Sequence, residues 1–173
     1  MYTFQHALVS AMSGPVQALG GVPNACQLLP TVVTGGQPSA AHLAAFKAAG
    51  GRIVVDLRDP IEPRPLDEPA TVAALGMEYV NIPVSAGTLS DGTLDRILAV
   101  LRQAGDELVL VHCASGNRVG GALVPFLMLE HGLEEEDAVG EAMRVGLRSA
   151  ELLEWGLDYA RRGGSSDPGP ESP

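Results

Sequence analysis

Aromatic side chains are scarce in this chain, at 4% of 173 residues. That leaves little for the stacking platforms that hold unpaired bases. Bases are scarce too. Eleven Lys and Arg face 21 Asp and Glu, giving a net charge of −10, and a large nucleic-acid footprint needs basic surface. Two cysteines cannot build a disulfide framework, and Cys113 is expected to stay reduced. No apolar run approaches a membrane span. The first twenty residues hold no Lys or Arg, so the basic start of a secretory leader is missing. His6, His42 and His131 are scattered without metal-ligand spacing. These absences describe a soluble, cytoplasmic protein with no metal, no cofactor, and no nucleic-acid or membrane partner.

What is present is a 46% hydrophobic composition, enough for one domain with a normal core. Residues 1–25 lack a clean period and read as an N-terminal arm. Residues 26–162 read as the domain, and 163–173, rich in Gly, Ser and Pro, as a disordered tail. Short apolar runs at 26–29 and 31–34 form a small strand pair. Strands follow at 52–57, 78–84 and 107–111. Helices are predicted at 40–49, capped by Ser39, and at 67–75, 90–104, 119–131, 134–145 and 149–162. Leu94, Ile97, Leu98 and Leu101 give the 90–104 helix its apolar stripe. Pro125 should kink or break the helix over 119–131. Trp155, Tyr159 and Leu152 pack the last helix on the body. Strands alternating with helices define an α/β fold with a mostly parallel central sheet flanked by helices. Ligands bind beyond the carboxyl ends of such strands, where three loops meet: 56–65, 85–90 and the one after residue 112.

That last loop carries the chemistry. Val109-Leu110-Val111 runs into His112-Cys113-Ala114-Ser115-Gly116-Asn117-Arg118, and a helix-compatible segment follows. A Cys between a strand end and a helix start sits where backbone N–H groups converge, which stabilises a thiolate and holds an anion. Cys113 is therefore the candidate nucleophile. Ala114, Ser115, Gly116 and Asn117 are the candidate phosphate cradle, Ser115 and Asn117 offering side-chain bonds and Gly116 a close approach. Arg118 offers a planar fork for two oxygens. His112 supports the loop through hydrogen bonds. The bland alternative is a buried Cys beside ordinary Gly-Asn turn chemistry. It explains the single residues but not the whole string after a strand and before a helix.

The segment 112–118 resembles the signature loop of the cysteine-based, protein-tyrosine-phosphatase-like superfamily. More narrowly, the chain resembles the small bacterial phosphatase-like family related to the phosphatase domain of beta-lactamase-hydrolase-like proteins. Thr34-Gly35-Gly36-Gln37-Pro38-Ser39, Val54-Val55-Asp56-Leu57-Arg58 and Glu78-Tyr79-Val80-Asn81-Ile82-Pro83-Val84 carry the same resemblance, which covers about residues 24–155. It implies a phosphatase-like fold, Cys113 as nucleophile and Arg118 as the phosphate-binding arginine. Two departures stand out. Four residues separate Cys113 from Arg118 where five are usual, and Val119 stands where a hydroxyl residue commonly helps the phosphoenzyme turn over. The shorter loop, with Val55-Asp56-Leu57-Arg58-Asp59-Pro60, is also similar to rhodanese-like sulfurtransferases. The two helical segments after the loop favour the phosphatase-like family.

A fast phosphomonoesterase needs a general acid for its leaving oxygen. The superfamily places an Asp shortly after the strand over 80–84, but here Ser85-Ala86-Gly87 hold that place. Asp91 and Asp59 are the candidates, each with a plain alternative as a helix first-turn carboxylate or a turn residue. Asp56 can pair with Arg58 or cap local backbone. Gln37 and Ser39 can reach the rim of the site. Cys26 reads as a core thiol, the alternative being a redox pairing with Cys113. The sequence thus points to a cysteine-dependent hydrolase of phosphomonoesters, phosphotyrosine included, acting on a small phosphorylated substrate or a phosphoprotein. A sulfurtransferase carrying a Cys113 persulfide and a weakly active oxyanion-binding module are the alternatives.

Overall fold

Successive residues of the central strands alternate between two apolar layers. In β3 (Gly51–Asp56), Ile53 and Val55 face one layer and Val54 the other. In β5 (Leu108–His112), Val109 and Val111 join the first layer and Leu110 the second. Such two-sided burial is the pattern of a parallel sheet covered by helices. The computed structural model describes residues 14–165. With β1 (Cys26–Leu29), β2 (Val32–Gly35) and β4 (Glu78–Asn81), the sheet has five strands in the order β1-β2-β5-β3-β4. β1 runs antiparallel to β2, and the other pairings are parallel. The expected α/β architecture is the one observed.

One layer lies under α1 (Ala40–Ala48) and α2 (Glu68–Ala74), which contribute Leu43, Phe46 and Val72. The other lies under α3 (Asp91–Ala104), α4 (Asn117–Pro125), α5 (Glu135–Val145) and α6 (Ala150–Arg161). Ser39, Ser90 and Ser149 cap α1, α3 and α6 with their hydroxyls, satisfying N–H groups that have no helical partner. Tyr159 and Leu152 are buried in the second layer, as expected of the last helix, and Trp155 packs against it.

Two expectations change, and the one for Pro125 holds. Residues 14–25 do not form an arm separate from the domain. Pro15–Leu19 is a 3₁₀ helix, and Leu19 and Val22 are buried in the core beside Phe46. The rest of the expected arm, and residues 166–173 of the expected tail, lie outside the described residues. Strand β4 ends at Asn81 rather than at 84. Pro83 has no N–H to donate, although Ile82 and Val84 still bond back to Asp56 and Leu57. Pro125 ends the regular part of α4, and a π-helical turn, Phe126–Glu130, follows. Proline withdraws the donor that the carbonyl of Gly121 would otherwise accept. That carbonyl is where α6 crosses: a Cβ added at Gly156 would lie 2.3 Å from the Gly121 oxygen. The crossing requires glycine there.

Candidate active site

Strand β5 delivers the loop. Cys113 follows its last residue, almost fully buried at 1% exposure, while Ala114 and Ser115 are open to solvent. The Gly116 N–H donates to Cys113 Sγ at 3.1 Å. Gly116 has φ +94°, and a Cβ on it would meet the Val145 carbonyl at 2.3 Å, so glycine alone fits the turn into α4.

The segment after β2 clasps this loop from the side. Cys113 N–H donates to Gly35 O at 3.3 Å, and Gln37 N–H to Ala114 O at 3.1 Å. The Thr34–Ser39 stretch is therefore the wall of the site as well as the lead-in to α1.

Arg118 stands in the first turn of α4, half-buried. Its two terminal nitrogens grip Glu62 in a fork, Nη1 to Oε1 at 2.5 Å and Nη2 to Oε2 at 3.0 Å. Glu62 comes from the Pro-rich loop after β3 and also accepts from Arg58 Nε at 3.1 Å. The bond from Arg118 holds the Glu62 carboxyl down to about 2, against partial burial that pushes it up; the Asp59 N–H and Arg58 add to the lowering. Glu62 and a smaller contribution from Cys113 raise the Arg118 guanidinium above its ordinary value.

Behind the loop is a fully buried group. His112 Nδ1 faces the Cys113 carbonyl at 3.2 Å, and its Nε2 is in very close contact with Glu68 Oε1. Asp56 Oδ1 lies 3.9 Å from the same Nε2. Asp56 Oδ2 accepts from Arg64 Nη2 at 2.8 Å and from the Tyr79 hydroxyl at 2.7 Å. Burial and this bond to Asp56 push the Tyr79 hydroxyl well above its usual value. Asp56, Glu68 and His112 each present a ligand atom within 4.8 Å of the others, the one such grouping among the described residues. Arg64, Tyr79 and Gln37 already supply donors to its carboxylates, so the protein itself balances this cluster.

The structure brings Cys113, Ala114, Ser115, Gly116, Arg118 and His112 together as the sequence suggested. Other candidates are engaged elsewhere. Asp91 forms a bidentate pair with Arg162, at 2.8 and 2.9 Å, and does not line the cleft at Arg118. Asp59 is a turn residue: its Oδ1 accepts from the Ile61 N–H, and its own N–H donates to Glu62. Asn117 Oδ1 accepts from the Arg148 and Ser149 N–H groups, so this side chain ties the start of α6 to the loop. Asp56 receives the Arg58 backbone N–H, while the Arg58 side chain goes to Glu62 and Gln37. Ser39 caps α1 rather than reaching the rim. Glu62 and Glu68 were missed by sequence reasoning, since nothing local marks a carboxylate in a Pro-rich loop as an arginine partner, or one at a helix start as a histidine's. Cys26 pairs in register with Thr34, and Thr34 with Val111. Two strand spacings put about 10 Å between Cys26 and β5, beyond the reach of roughly 7 Å that a disulfide allows. A direct bond to Cys113 is ruled out without backbone movement.

A cleft of about 280 Å³ opens beside Arg118, lined by Val84, Ser85, Ala86, Leu89, Leu152 and Glu151 among others. Apolar groups dominate one wall, and Arg118 supplies its positive charge.

The Glu62 fork has a pH signature. Its folded value lies below its ordinary 4.5, so its contribution is complete above that pH and is lost as pH falls toward 2. Glu62→Gln should melt a few degrees below the native protein from pH 7 to 5, and the gap should close between pH 4.5 and 2. Melting curves at stepped pH check this; a gap that is flat throughout would contradict the fork.

No protein-family model matches the chain, and no curated protein does. Solved structures do. A DUF442 protein from Shewanella putrefaciens, assigned as a phosphatase, superposes with a TM-score of 0.74 at 21% identity, over 86% of this chain and 99% of that one. Tk-PTP in its active form matches with a TM-score of 0.66 at 26% identity, over 81% and 98%. TpbA of P. aeruginosa, in complex with phosphotyrosine, matches with a TM-score of 0.64 at 20% identity, over 83% and 85%. The chain has the fold of the protein-tyrosine-phosphatase-like phosphatases. Among the described residues no helix is long and apolar enough to cross a membrane.

Proposed function

We propose that this chain is a cysteine-dependent phosphomonoesterase. The observation that carries the reading is the Gly116 N–H on the Cys113 sulfur with Arg118 beside it, at the carboxyl end of β5. Glu62 takes the tip of the Arg118 fork, which leaves the Nε edge for two oxygens of a bound phosphoryl group. The thiolate attacks phosphorus, an S–P bond forms and the ester P–O bond breaks. Water then attacks phosphorus, the S–P bond breaks, and phosphate and thiolate are released. The likeness to a family related to beta-lactamase-hydrolase-like proteins rests on the sequence motifs alone.

Among the described residues, neither candidate acid, Asp91 or Asp59, is placed to serve the leaving oxygen, and nor is Glu62. Asp91 is held by Arg162, Asp59 by its turn, and Glu62 is ionised at neutral pH. Aryl phosphates, whose leaving groups need little protonation, should therefore turn over about 100-fold faster than alkyl phosphates. Rates on p-nitrophenyl phosphate, phosphotyrosine and an alkyl phosphate check this.

The four-residue spacing between Cys113 and Arg118 favours one second reading, a persulfide-carrying sulfurtransferase. Thiocyanate formed from thiosulfate and cyanide, without phosphate release from aryl esters, would establish it. Oxyanion binding with neither activity would mark a binding module.

A further inference from the structure

Cys113 and Arg118 are joined by the loop between them and also by a second, longer path of side chains. His112 Nδ1 meets the Cys113 carbonyl at 3.2 Å, and His112 Nε2 meets Glu68 Oε1. Glu68 Oε2 accepts from Gln37 Nε2 at 2.8 Å. Gln37 Oε1 accepts from Arg58 Nη1 at 2.5 Å. Arg58 Nε reaches Glu62 Oε2 at 3.1 Å, and Glu62 grips Arg118. Glu68 and His112 are fully buried and Arg58 is 7% exposed, while Gln37 and Glu62 are partly exposed.

We infer that Gln37 is the positioning residue of this relay, setting the Cys113 backbone from one end of its amide and the Arg118 fork from the other. The inference rests on the phosphatase reading for its consequence in catalysis. Its neighbours force the orientation of the amide: Arg58 can only donate, so the oxygen faces it, and the Glu68 carboxylate accepts, so the nitrogen faces that. Glutamine is suited to the place because it offers both roles at one position. The Gln37 N–H, bonded to Ala114 O, anchors the same residue to the loop it governs.

Hydrogen-bond accounting extends to His112. The Cys113 carbonyl faces the Nδ1 side of the ring, and Glu68 closes on the Nε2 side. A carboxylate in place of Gln37 sets two carboxyl groups against each other at the link to Glu68. An amide in place of Glu68 alone is no clean mismatch, because it can turn its oxygen to the Gln37 nitrogen and its own nitrogen to His112. Made together, Gln37→Glu and Glu68→Gln give the carboxylate at 37 a donor at 68 and keep one carboxylate between the two positions.

The experiment measures three quantities: kcat and KM on p-nitrophenyl phosphate, the rate of Cys113 alkylation by iodoacetamide, and tungstate affinity by calorimetry. Gln37→Glu should lower kcat and the alkylation rate by about tenfold, and adding Glu68→Gln should return both to within about threefold of wild type. A double variant no better than Gln37→Glu, or a Gln37→Glu variant indistinguishable from wild type, would overturn the relay. Should Glu68→Gln not fold, Gln37→Met keeps the volume and drops both bonds. It should lose about tenfold in alkylation rate and in tungstate affinity while remaining folded, and an unchanged rate and affinity would overturn the inference. A wild type without phosphatase turnover would refute the functional reading alone, because alkylation and tungstate binding report on the relay without it.

Discussion

Cys113→Ser is expected to abolish hydrolysis of p-nitrophenyl phosphate, lowering kcat by about 10⁴-fold or more, while leaving oxyanion binding nearly intact. The two effects separate for a structural reason. Cys113 is 1% exposed, and a serine of similar shape keeps an acceptor for the Gly116 N–H. The loop therefore holds its form, Arg118 keeps its fork on Glu62, and the phosphate cradle survives. What disappears is the nucleophile, since a serine hydroxyl here has no adjacent base to activate it: His112 is committed to the Cys113 carbonyl and to Glu68. Tungstate should bind the variant within about threefold of wild type, and the melting temperature should move little. Turnover surviving the substitution would remove Cys113 from the chemistry. Loss of tungstate binding along with turnover would show instead that the sulfur organises the loop, and the mutant kinetics would then say nothing about a phosphocysteine.

Much of the architecture was legible because it is written in local patterns. The alternation of short apolar runs with amphipathic segments marks the strands and helices, and Ser39 marks a helix start by hydroxyl chemistry alone. The Cys loop was legible for the same reason, since its residues are contiguous. Its support was not. Glu62 and Glu68 come from separate stretches, and Gln37, legible as a rim residue, could not be placed between Glu68 and Arg58 until the three met. Asp91 shows the converse. Its place near a missing acid invited a catalytic role, while its partner Arg162, at the far end of α6, is 71 residues away. The crossing of Gly121 and Gly156 was equally hidden, because a glycine needed for close approach looks in sequence like any other.

Arg118→Lys tests the other half of the site. It is expected to lower kcat/KM on p-nitrophenyl phosphate by about 10³-fold, equivalent to some 4 kcal/mol of transition-state stabilisation, although the formal charge is unchanged. The argument is geometric. Arg118 holds both Glu62 oxygens with its two terminal nitrogens and still has its Nε edge for an oxyanion. A lysine has one nitrogen to divide between Glu62 and the ligand. Glu62 remains beside Arg58 and stays ionised at neutral pH, so the ammonium is drawn to it and away from the phosphoryl oxygens. Equatorial oxygens that gain charge as the thiolate attacks then lose their paired donors, and the loss falls on kcat more than on KM. Removing the competitor should help: Arg118→Lys combined with Glu62→Gln should recover about tenfold of the lost kcat/KM, because the ammonium is freed for the ligand. A single variant within tenfold of wild type would mean that charge alone suffices at this position. A double variant worse than the single would mean that Glu62 aims the cation rather than competing for it.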